Sequence, residues 1–310
     1  MKHPFIKLIQ KILLLLVILF VLDRGLGFYI SKLYYSQKQG DDAITTYAVN
    51  KAKEDVLIFG TSRAAHHYVA SIIRDSTRLT AYNLGRDGTD FDYQYAAINA
   101  ALIRYTPKVI IIDLNNSDLL AVTPEVRDRK GLFMSMFVPQ MHVNKYIDSL
   151  IHERDPIEYY KAKLISLYAF NSSLSSIIQH KLGVGQKNKF GYEPLFGSKS
   201  LKGAGIRVVD NRNYREDETL KKKFEEVVAE IEKRKIQLYV IVSPALLRYK
   251  YTPVPFVNNV LSKYGLKVIN FQNDLVFDDK TLYHNDNHLN DSGAKLFTQV
   301  LLRDNIKIHK

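Results

Sequence analysis

The sequence predicts an α/β protein, a three-layer sandwich with a central parallel sheet, preceded by one N-terminal transmembrane helix. Short, continuously apolar runs predict strands that are buried on both faces, as in a parallel sheet covered by helices. Amphipathic helical patterns separate these runs, which is the alternation expected of such a domain. A third observation, a long apolar segment after several lysines, predicts the membrane helix.

The predicted strands end in glycine or polar residues, and they cover residues 56–59, 109–112, 238–242 and 266–269, with a further strand at 82–84. The helical patterns cover residues 91–105, 218–233 and 255–264, followed by a terminal helix at 291–302. Ligands bind sheets of this kind at the carboxyl ends of the strands. The residues that follow each strand are therefore the candidates for chemistry.

Residues 5–22 are apolar except for Lys7, Gln10 and Lys11. This length is just sufficient for a bilayer core, since a helix rises about 1.5 Å per residue. A cleaved signal peptide is the alternative, but residues 23–29 contain no small-x-small cleavage site. Lys2, Lys7 and Lys11 precede the unbroken apolar run at 12–22, and no lysine directly follows it. We therefore predict a cytoplasmic N-terminus and an extracytoplasmic remainder, periplasmic or at the cell surface.

The predicted organisation has an anchor at 1–30, a stalk at 31–54 and the α/β domain at 55–310. Residues from about 123 to 215 interrupt the alternation and are predicted to be an insertion over the carboxyl edge of the sheet. The chain has 44 Lys+Arg against 32 Asp+Glu. Because this excess is spread along the chain and no nucleic-acid-binding module is recognisable, we expect membrane lipid or acidic glycan as partner, and no nucleic acid.

Ser62 follows the first predicted strand in the segment Gly-Thr-Ser-Arg at 60–63, and a helical stretch begins near Ala64. A hydroxyl at that edge of the sheet suits a nucleophile, because the N-H groups of the following helix can stabilise an oxyanion. The alternative is that Thr61 or Ser62 only caps the helix. This short segment alone favours the cap.

His288 lies in the segment Asn-Asp-Asn-His-Leu-Asn at 285–290, directly before the terminal helix. A histidine flanked by a carboxylate and amides can act as general base for a serine that the fold brings beside it. The pair Ser62 and His288 is therefore the candidate catalytic pair.

A strand followed by Gly-x-Ser, and near the C-terminus a segment like an Asp-x-x-His box followed by Leu-Asn and a helix with Gly-Ala, resembles the SGNH (GDSL-like) hydrolases with their flavodoxin-like sheet. Within them the likeness is to membrane-anchored proteins that act on envelope polymers. It covers residues 55–118 and 238–304. The resemblance implies that Ser62 is the nucleophile, His288 its base, and Gly88 an oxyanion donor.

The sequence departs from this family in two places. The asparagine oxyanion donor of the family falls at Ser117, so either Asn116 supplies the donor through a shifted turn or the Ser117 hydroxyl replaces it. The residue three before His288 is Asn285, whereas the nearest carboxylate, Asp286, is two before it. An amide stabilises an imidazolium less than a carboxylate does, so we expect Asp286, with Asn285 as the alternative, to be the third member.

Three other histidines lie near these motifs. His284 invites a metal site, but without cysteine or a second spaced His cluster we predict no metal and no cofactor. His66 and His67 follow Ser62 by four and five residues and could line a pocket mouth, but we expect them to be exposed or capping groups.

The resemblance and the predicted location imply a serine esterase or O-acyltransferase whose substrate is an acylated surface or exported glycan, with O-acetyl as the expected acyl group, or another ester. A function of another class is also open. The departures at Asn285 and Ser117 are compatible with a catalytically inactive SGNH-like module that binds a glycan or joins an envelope assembly.

Overall fold

The computed structural model describes residues 4–121, 129–183, 190–199 and 205–308. The chain forms two compact units. One comprises Met1–Ala43 and Lys130–Gly185, and the other comprises Ile44–Arg129 and Gln186–Lys310. The predicted insertion at 123–215 is thus shared between both units, and residues 122–128, 184–189 and 200–204 of that region lie outside the described residues.

A five-stranded parallel sheet lies at the centre of the second unit, which confirms the predicted parallel sheet. Its order is β2-β1-β3-β5-β7, and two smaller pairs, β4 with β6 and β8 with β9, lie outside it. The strands are β1 Val56–Phe59, β2 Ala81–Asn83, β3 Val109–Asp113, β4 Arg207–Val209, β5 Gln237–Val242, β6 Leu247–Tyr249, β7 Ile269–Asn270, β8 Tyr283–Asn285 and β9 His288–Leu289.

The α-helices are α1 Pro4–Tyr35, α2 Asp41–Asn50, α3 Ser62–His67, α4 Ala70–Thr77, α5 Phe91–Arg104, α6 Arg129–Phe137, α7 Lys145–Arg154, α8 Pro156–Leu164, α9 Leu174–Lys181, α10 Glu218–Lys233, α11 Val254–Ser262 and α12 Asp291–Val300. Short 3-10 segments occupy Val138–His142, Tyr168–Ser173, Leu275–Phe277 and Lys280–Leu282, and a π-helical turn, Leu301–Asn305, follows α12. The last predicted strand, 266–269, is reduced to Ile269–Asn270.

The order in which the chain adds strands to the sheet reverses between β1 and β3. The chain passes from β1 to β2 on one side and then crosses to β3 on the other side of β1. A crevice opens at such a switch point, outside the carboxyl ends of the two strands, because the connections leave in opposite directions. Ser62 follows β1 and Asn115 follows β3, so both lie at this position in the topology.

Packing of α12 against α3 brings the C-terminal segment to the carboxyl end of β1. The ring of Phe297 meets that of Tyr68 edge-to-face at 5.1 Å, and both side chains are fully buried. The backbone N-H of Val69 donates to Thr298 Oγ1 at 3.0 Å. Burial of one such aromatic contributes roughly 1.5–3 kcal/mol. The residues just before α12, which include His288, are therefore fixed beside α3.

A buried polar network joins α3 to the ends of β3 and β5. Asp113 accepts hydrogen bonds from the Tyr68 hydroxyl at 2.8 Å and from the Ser243 backbone N-H at 3.1 Å, and Arg63 Nε lies 3.7 Å from its other oxygen. Arg63 also donates to the Leu114 carbonyl at 2.6 Å. A side chain at Gly60 would lie 2.9 Å from the Asp113 carbonyl, and its φ is +154°, so the tight exit from β1 requires glycine. The turn that carries Ser62 is consequently tied to the ends of β3 and β5.

In the first unit, α1 is long and apolar enough to cross a membrane, in agreement with the predicted anchor. The helix does not end at residue 30 but continues to Tyr35, so it includes the start of the predicted stalk, which further on contains α2. Asp23 accepts backbone hydrogen bonds from Ser166 at 2.8 Å and Leu167 at 3.0 Å, and Gln140 donates to the Tyr34 hydroxyl at 2.8 Å. One side of α1 beyond residue 22, which includes the buried Gly27 and Tyr34, therefore packs against protein.

Candidate active site

Ser62 and His288 meet at the carboxyl end of β1. Ser62 is the first residue of α3, and His288 is the first residue of β9, just before α12. Ser62 Oγ and His288 Nε2 lie 2.7 Å apart although 226 positions separate them in sequence. Both side chains are half-buried, so the pair is partly shielded from water and still accessible. A serine and a histidine in this contact have the geometry of a nucleophile and its general base.

The partners of Asn285 determine which nitrogen of His288 carries the proton. The backbone N-H groups of Asn287 and His288 both lie 3.0 Å from the Asn285 side-chain oxygen, and backbone N-H groups only donate. The atom that they meet is therefore Oδ1, which only accepts. His288 Nδ1 lies 3.0 Å from the same oxygen and must carry a proton. This leaves Nε2 unprotonated and able to accept the proton of Ser62.

Asp286, the expected third member, points elsewhere. Its carboxylate forms an ion pair with Arg207, and its carbonyl accepts hydrogen bonds from the backbone of Leu246 and Leu247, each at 2.9 Å. The side chain that reaches the imidazole is that of Asn285. The expectation that Asp286 orients His288 is therefore corrected. At two residues before His288, Asp286 lies in the β8–β9 turn with its side chain directed away from the imidazole.

His66 lies next to the candidate pair and has acceptors on both ring nitrogens. Its Nδ1 is 2.7 Å from the Glu193 carbonyl oxygen, and its Nε2 is 3.3 Å from Asp87 Oδ2. A carbonyl and a carboxylate only accept, so the ring makes both hydrogen bonds only when it is protonated. Burial opposes this charge, but the hydrogen bond and attraction to Asp87 outweigh it and raise the pKa of His66.

His67 is held in the opposite state. The backbone N-H of Leu289 donates to its Nε2 at 3.0 Å, so that nitrogen carries no proton, and Nδ1 faces Ser243 Oγ at 3.0 Å as the donor. Burial, with the nearby histidine and arginine, lowers the pKa of His67 well below its ordinary value. The expectation that His66 and His67 are exposed or capping groups is wrong, since both are buried, at 3% and 0% exposure. Their apolar neighbours at 64, 65, 68 and 69 were the available signal.

His288 is a neutral base of low proton affinity. Burial, and then the charge of His66, lower its pKa to about 4. The rings of His66 and His288 meet edge-to-face with centroids 5.5 Å apart, so the charged ring is close enough to oppose a second positive charge. Asn285, being an amide, adds no compensating charge. At neutral pH the unprotonated Nε2 that a general base needs is thus the prevailing state.

The expected oxyanion donors lie on two loops. Gly88 has φ +68° and follows Asp87, the partner of His66. Its loop is held against α3, because a side chain at Gly85 would lie 2.3 Å from the Ala65 nitrogen, and glycine alone permits this approach. On the loop after β3, Ser117 is exposed.

Asn116, on the same loop, has a buried Oδ1 without a hydrogen-bond partner. Sequence reasoning overlooked Asp118, which accepts a hydrogen bond from the Asn115 backbone N-H at 2.6 Å. Burial raises the pKa of Asp118 to about 8, so this carboxyl group is largely neutral at pH 7. The loop that carries Asn116 is therefore held by a hydrogen bond to Asp118, a buried carboxyl group with a raised pKa.

Within the described ranges of the chain, no group of three or more His, Cys, Asp or Glu side chains is placed to hold a metal ion. No protein-family profile matches the sequence, and a comparison with curated proteins finds no match either. The assignment to the SGNH hydrolases therefore remains a resemblance carried by the motifs.

Proposed function

We propose that the chain is a membrane-anchored, SGNH-like serine esterase or O-acyltransferase that acts on acyl esters, O-acetyl in particular, of cell-surface or exported glycans. The hydrogen-bonded series Ser62, His288 and Asn285 carries this proposal. It lies at the carboxyl end of β1, where sheets of this topology bind ligands. The proposal includes the three-layer form of the domain, with helices on both faces of the sheet.

In the first half-reaction, Ser62 Oγ attacks the acyl carbon while its proton passes to His288 Nε2. The tetrahedral oxyanion collapses, the bond to the glycan oxygen breaks, and His288 returns the proton to that oxygen. In the second half-reaction, water or a sugar hydroxyl attacks the acyl-serine and gives its proton to His288. The second tetrahedral intermediate collapses, the bond between the acyl carbon and Ser62 Oγ breaks, and His288 returns the proton to Ser62 Oγ. Water yields a carboxylic acid, and a sugar hydroxyl yields a new ester, so the acceptor alone separates hydrolysis from transfer.

Asn285 has a limited role in this scheme. It fixes the Nδ1-H tautomer and the ring orientation, but it does not stabilise the imidazolium as a carboxylate would. Because the pKa of His288 is lowered to about 4, its protonated form is a stronger acid than an ordinary imidazolium. Proton return to the leaving oxygen is then favourable, and proton removal from Ser62 is the demanding step.

Oxyanion stabilisation is assigned to the backbone N-H groups of Ser62 and Gly88, with Asn116 as the side-chain donor. The first N-H groups of a helix have no intrahelical acceptor, and Ser62 begins α3. Such donors stabilise developing negative charge without reorganisation. Ser117 is the alternative donor on the same loop.

The location argument supports the glycan as substrate class. An anchor with its lysines on the N-terminal side places the chain that follows it outside the cytoplasm, and acylated surface or exported glycans are found there. No individual side chain identifies the sugar.

The proposal is tested on full-length protein in detergent with a fluorophosphonate probe and an aryl acetate. Wild type should form a covalent adduct at Ser62, identified by peptide mass spectrometry, and should release the aryl alcohol. Ser62→Ala should lose both, whereas Ser76→Ala, an exposed serine on α4, should keep both.

Folded wild-type protein that neither labels nor turns over the ester would contradict the enzyme and favour the binding module. Retention of label in Ser62→Ala would assign the nucleophile elsewhere. Adding a free sugar acceptor then separates the two activities, because a transferase diverts the acyl group from water to the sugar.

A further inference from the structure

The exposed face of α8 carries large apolar side chains beside a single lysine, which is unusual for a helix that faces water. Ile157, Tyr160 and Leu164 are 69%, 55% and 71% exposed, and their spacing of three and four places them on one face. Ile165, the next residue, is 50% exposed. On the side of the helix that packs against the protein lies the small residue Ala162. An isolated exposed leucine needs no explanation, but a contiguous stripe marks an interaction surface.

The C-terminal end of α8 is attached to α1 at the end of the apolar segment. Asp23, the first residue after that segment, accepts hydrogen bonds from the backbone N-H groups of Ser166 and Leu167. Arg24 donates to the carbonyl oxygen of Leu164, and its guanidinium lies 5.1 Å from the ring centre of Phe20, one turn back along α1. Leu164 and Ile165 are therefore level with the boundary between the apolar segment and the polar part of α1.

We propose that α8 lies in the membrane interface, with Ile157, Tyr160 and Leu164 inserted at the boundary between headgroups and acyl chains. The proposal rests on α1 being a membrane anchor. The length of residues 5–22, about 27 Å at 1.5 Å per residue, matches the hydrocarbon core, so residue 23 emerges at its edge. The lipid that surrounds α1 is thus the nearest apolar phase for Leu164 and Ile165.

The composition of the face fits lipid. Tyrosine is enriched at the interface, because its ring is apolar and its hydroxyl remains hydrated. Lys161 lies on the same exposed face, and a lysine can extend its charged end into the headgroup layer while its stem contacts acyl chains. Amphipathic helices bind membranes in this manner, parallel to the surface.

A second exposed apolar face in the same unit provides a control. Ile178 on α9 is 59% exposed, and α9 is fixed by Ser176, whose hydroxyl donates to Asp42 beyond the end of α1. From Asp23 to Tyr35, α1 rises by about 18 Å at 1.5 Å per residue. Ile178 is therefore expected to lie outside the interface although it is as exposed and apolar as the residues of α8.

The test uses single-tryptophan variants of the full-length chain, which contains no tryptophan of its own. Leu164→Trp, Ile157→Trp, Ile178→Trp and the anchor reference Leu16→Trp are reconstituted in phosphatidylcholine–phosphatidylglycerol vesicles with and without brominated acyl chains. Leu164→Trp and Ile157→Trp should lose fluorescence in brominated vesicles nearly as fully as Leu16→Trp. Ile178→Trp should respond to aqueous iodide instead.

Quenching of Leu164→Trp by iodide in these vesicles, without a response to brominated lipid, would overturn the proposal. If native membranes protect it from iodide while pure lipid does not, a protein partner covers the face and the lipid assignment is equally overturned. A failure of Leu16→Trp to respond to brominated lipid would instead reject the anchor itself.

Discussion

Two histidine-bearing segments meet at the candidate site, and their histidines are held differently. In α3, each histidine has partners that fix its charge, since His66 lies between two acceptors and His67 accepts from a backbone N-H. In the β8–β9 turn, His288 has an amide on one nitrogen and a hydroxyl on the other. The partners of His66 and His67 each favour one protonation state, whereas those of His288 allow its Nε2 to gain and lose a proton.

The difference shows that partners, rather than residue type, decide what a histidine does. A ring between a carboxylate and a carbonyl cannot release a proton without losing a hydrogen bond, and a ring that accepts from a buried backbone N-H cannot gain one. Only a partner that tolerates both states leaves a histidine available for proton transfer. A serine hydroxyl is such a partner, because it both donates and accepts.

The largest effect is expected when the donor or the acceptor of the transferred proton, Ser62 or His288, is removed. His288→Ala and Ser62→Ala should each lower kcat by roughly 10³- to 10⁶-fold, because in the proposed mechanism neither group acts without the other. For the same reason, the double variant should lose little more than either single variant. Steady-state kinetics on an aryl acetate measure this, with circular dichroism to establish folding.

His284→Ala is the control from the same segment. Its Nδ1 faces the carbonyls of Phe196 and Gly197 at 3.1 and 3.2 Å, so the change should leave turnover close to wild type. Additive losses in the double variant of Ser62 and His288 would mean that the two groups act independently.

An intermediate effect is expected when either histidine of α3 is replaced. The loss in the free energy of unfolding should depend on pH in opposite directions for His66 and His67. His67→Leu leaves the buried Leu289 N-H without an acceptor, at a cost of about 1–3 kcal/mol in the free energy of unfolding. The pKa of His67 is lowered from 6.5, so its contribution is complete above pH 6.5 and declines as pH falls. The pKa of His66 is raised from 6.5, so its contribution is complete below pH 6.5 and is lost as pH rises through the raised value.

Denaturant unfolding at about pH 5 and about pH 8 separates the two. His67→Leu should destabilise more at the higher pH, and His66→Gln more at the lower pH. Equal losses at both pH values for either variant would show that the charge state inferred for that ring is wrong.

The smallest effect is a displacement of the pH profile. The proposed mechanism requires neutral His288, so kcat/KM should fall as pH decreases through about 4. Asn285→Asp places a carboxylate on Nδ1, which stabilises the imidazolium and raises the pKa of His288, so the acid limb should move to higher pH. Asp286→Asn should leave the limb in place, because Asp286 faces Arg207. A shift with Asp286→Asn and none with Asn285→Asp would restore Asp286 as the third member.

Local patterns determined much of this protein. The run at 56–59 became β1 and the amphipathic pattern at 218–233 became α10, in both cases with the predicted bounds, because strand and helix periodicities depend on neighbours in sequence. The sequence also marked Ser62 and His288 as a pair by their places after a strand and before a helix. The predicted bounds were wrong for β7, where only two residues pair. They were also wrong for α1, which continues past Asp23 and Arg24 while Asp23 accepts hydrogen bonds from backbone groups far along the chain.

Tertiary structure alone decided the chemistry around the pair. Asn285 and Asp286 are adjacent and both polar, and only the β8–β9 turn settles which of them faces the imidazole. The burial and protonation of His66 and His67 depend on Asp87, Glu193 and Leu289, which are distant in sequence. Hydrogen bonds and charge interactions depend on separations of a few ångströms between atoms, and spacing in sequence does not specify these distances. The apolar pattern that drives folding, in contrast, recurs along the chain and can be read from the sequence.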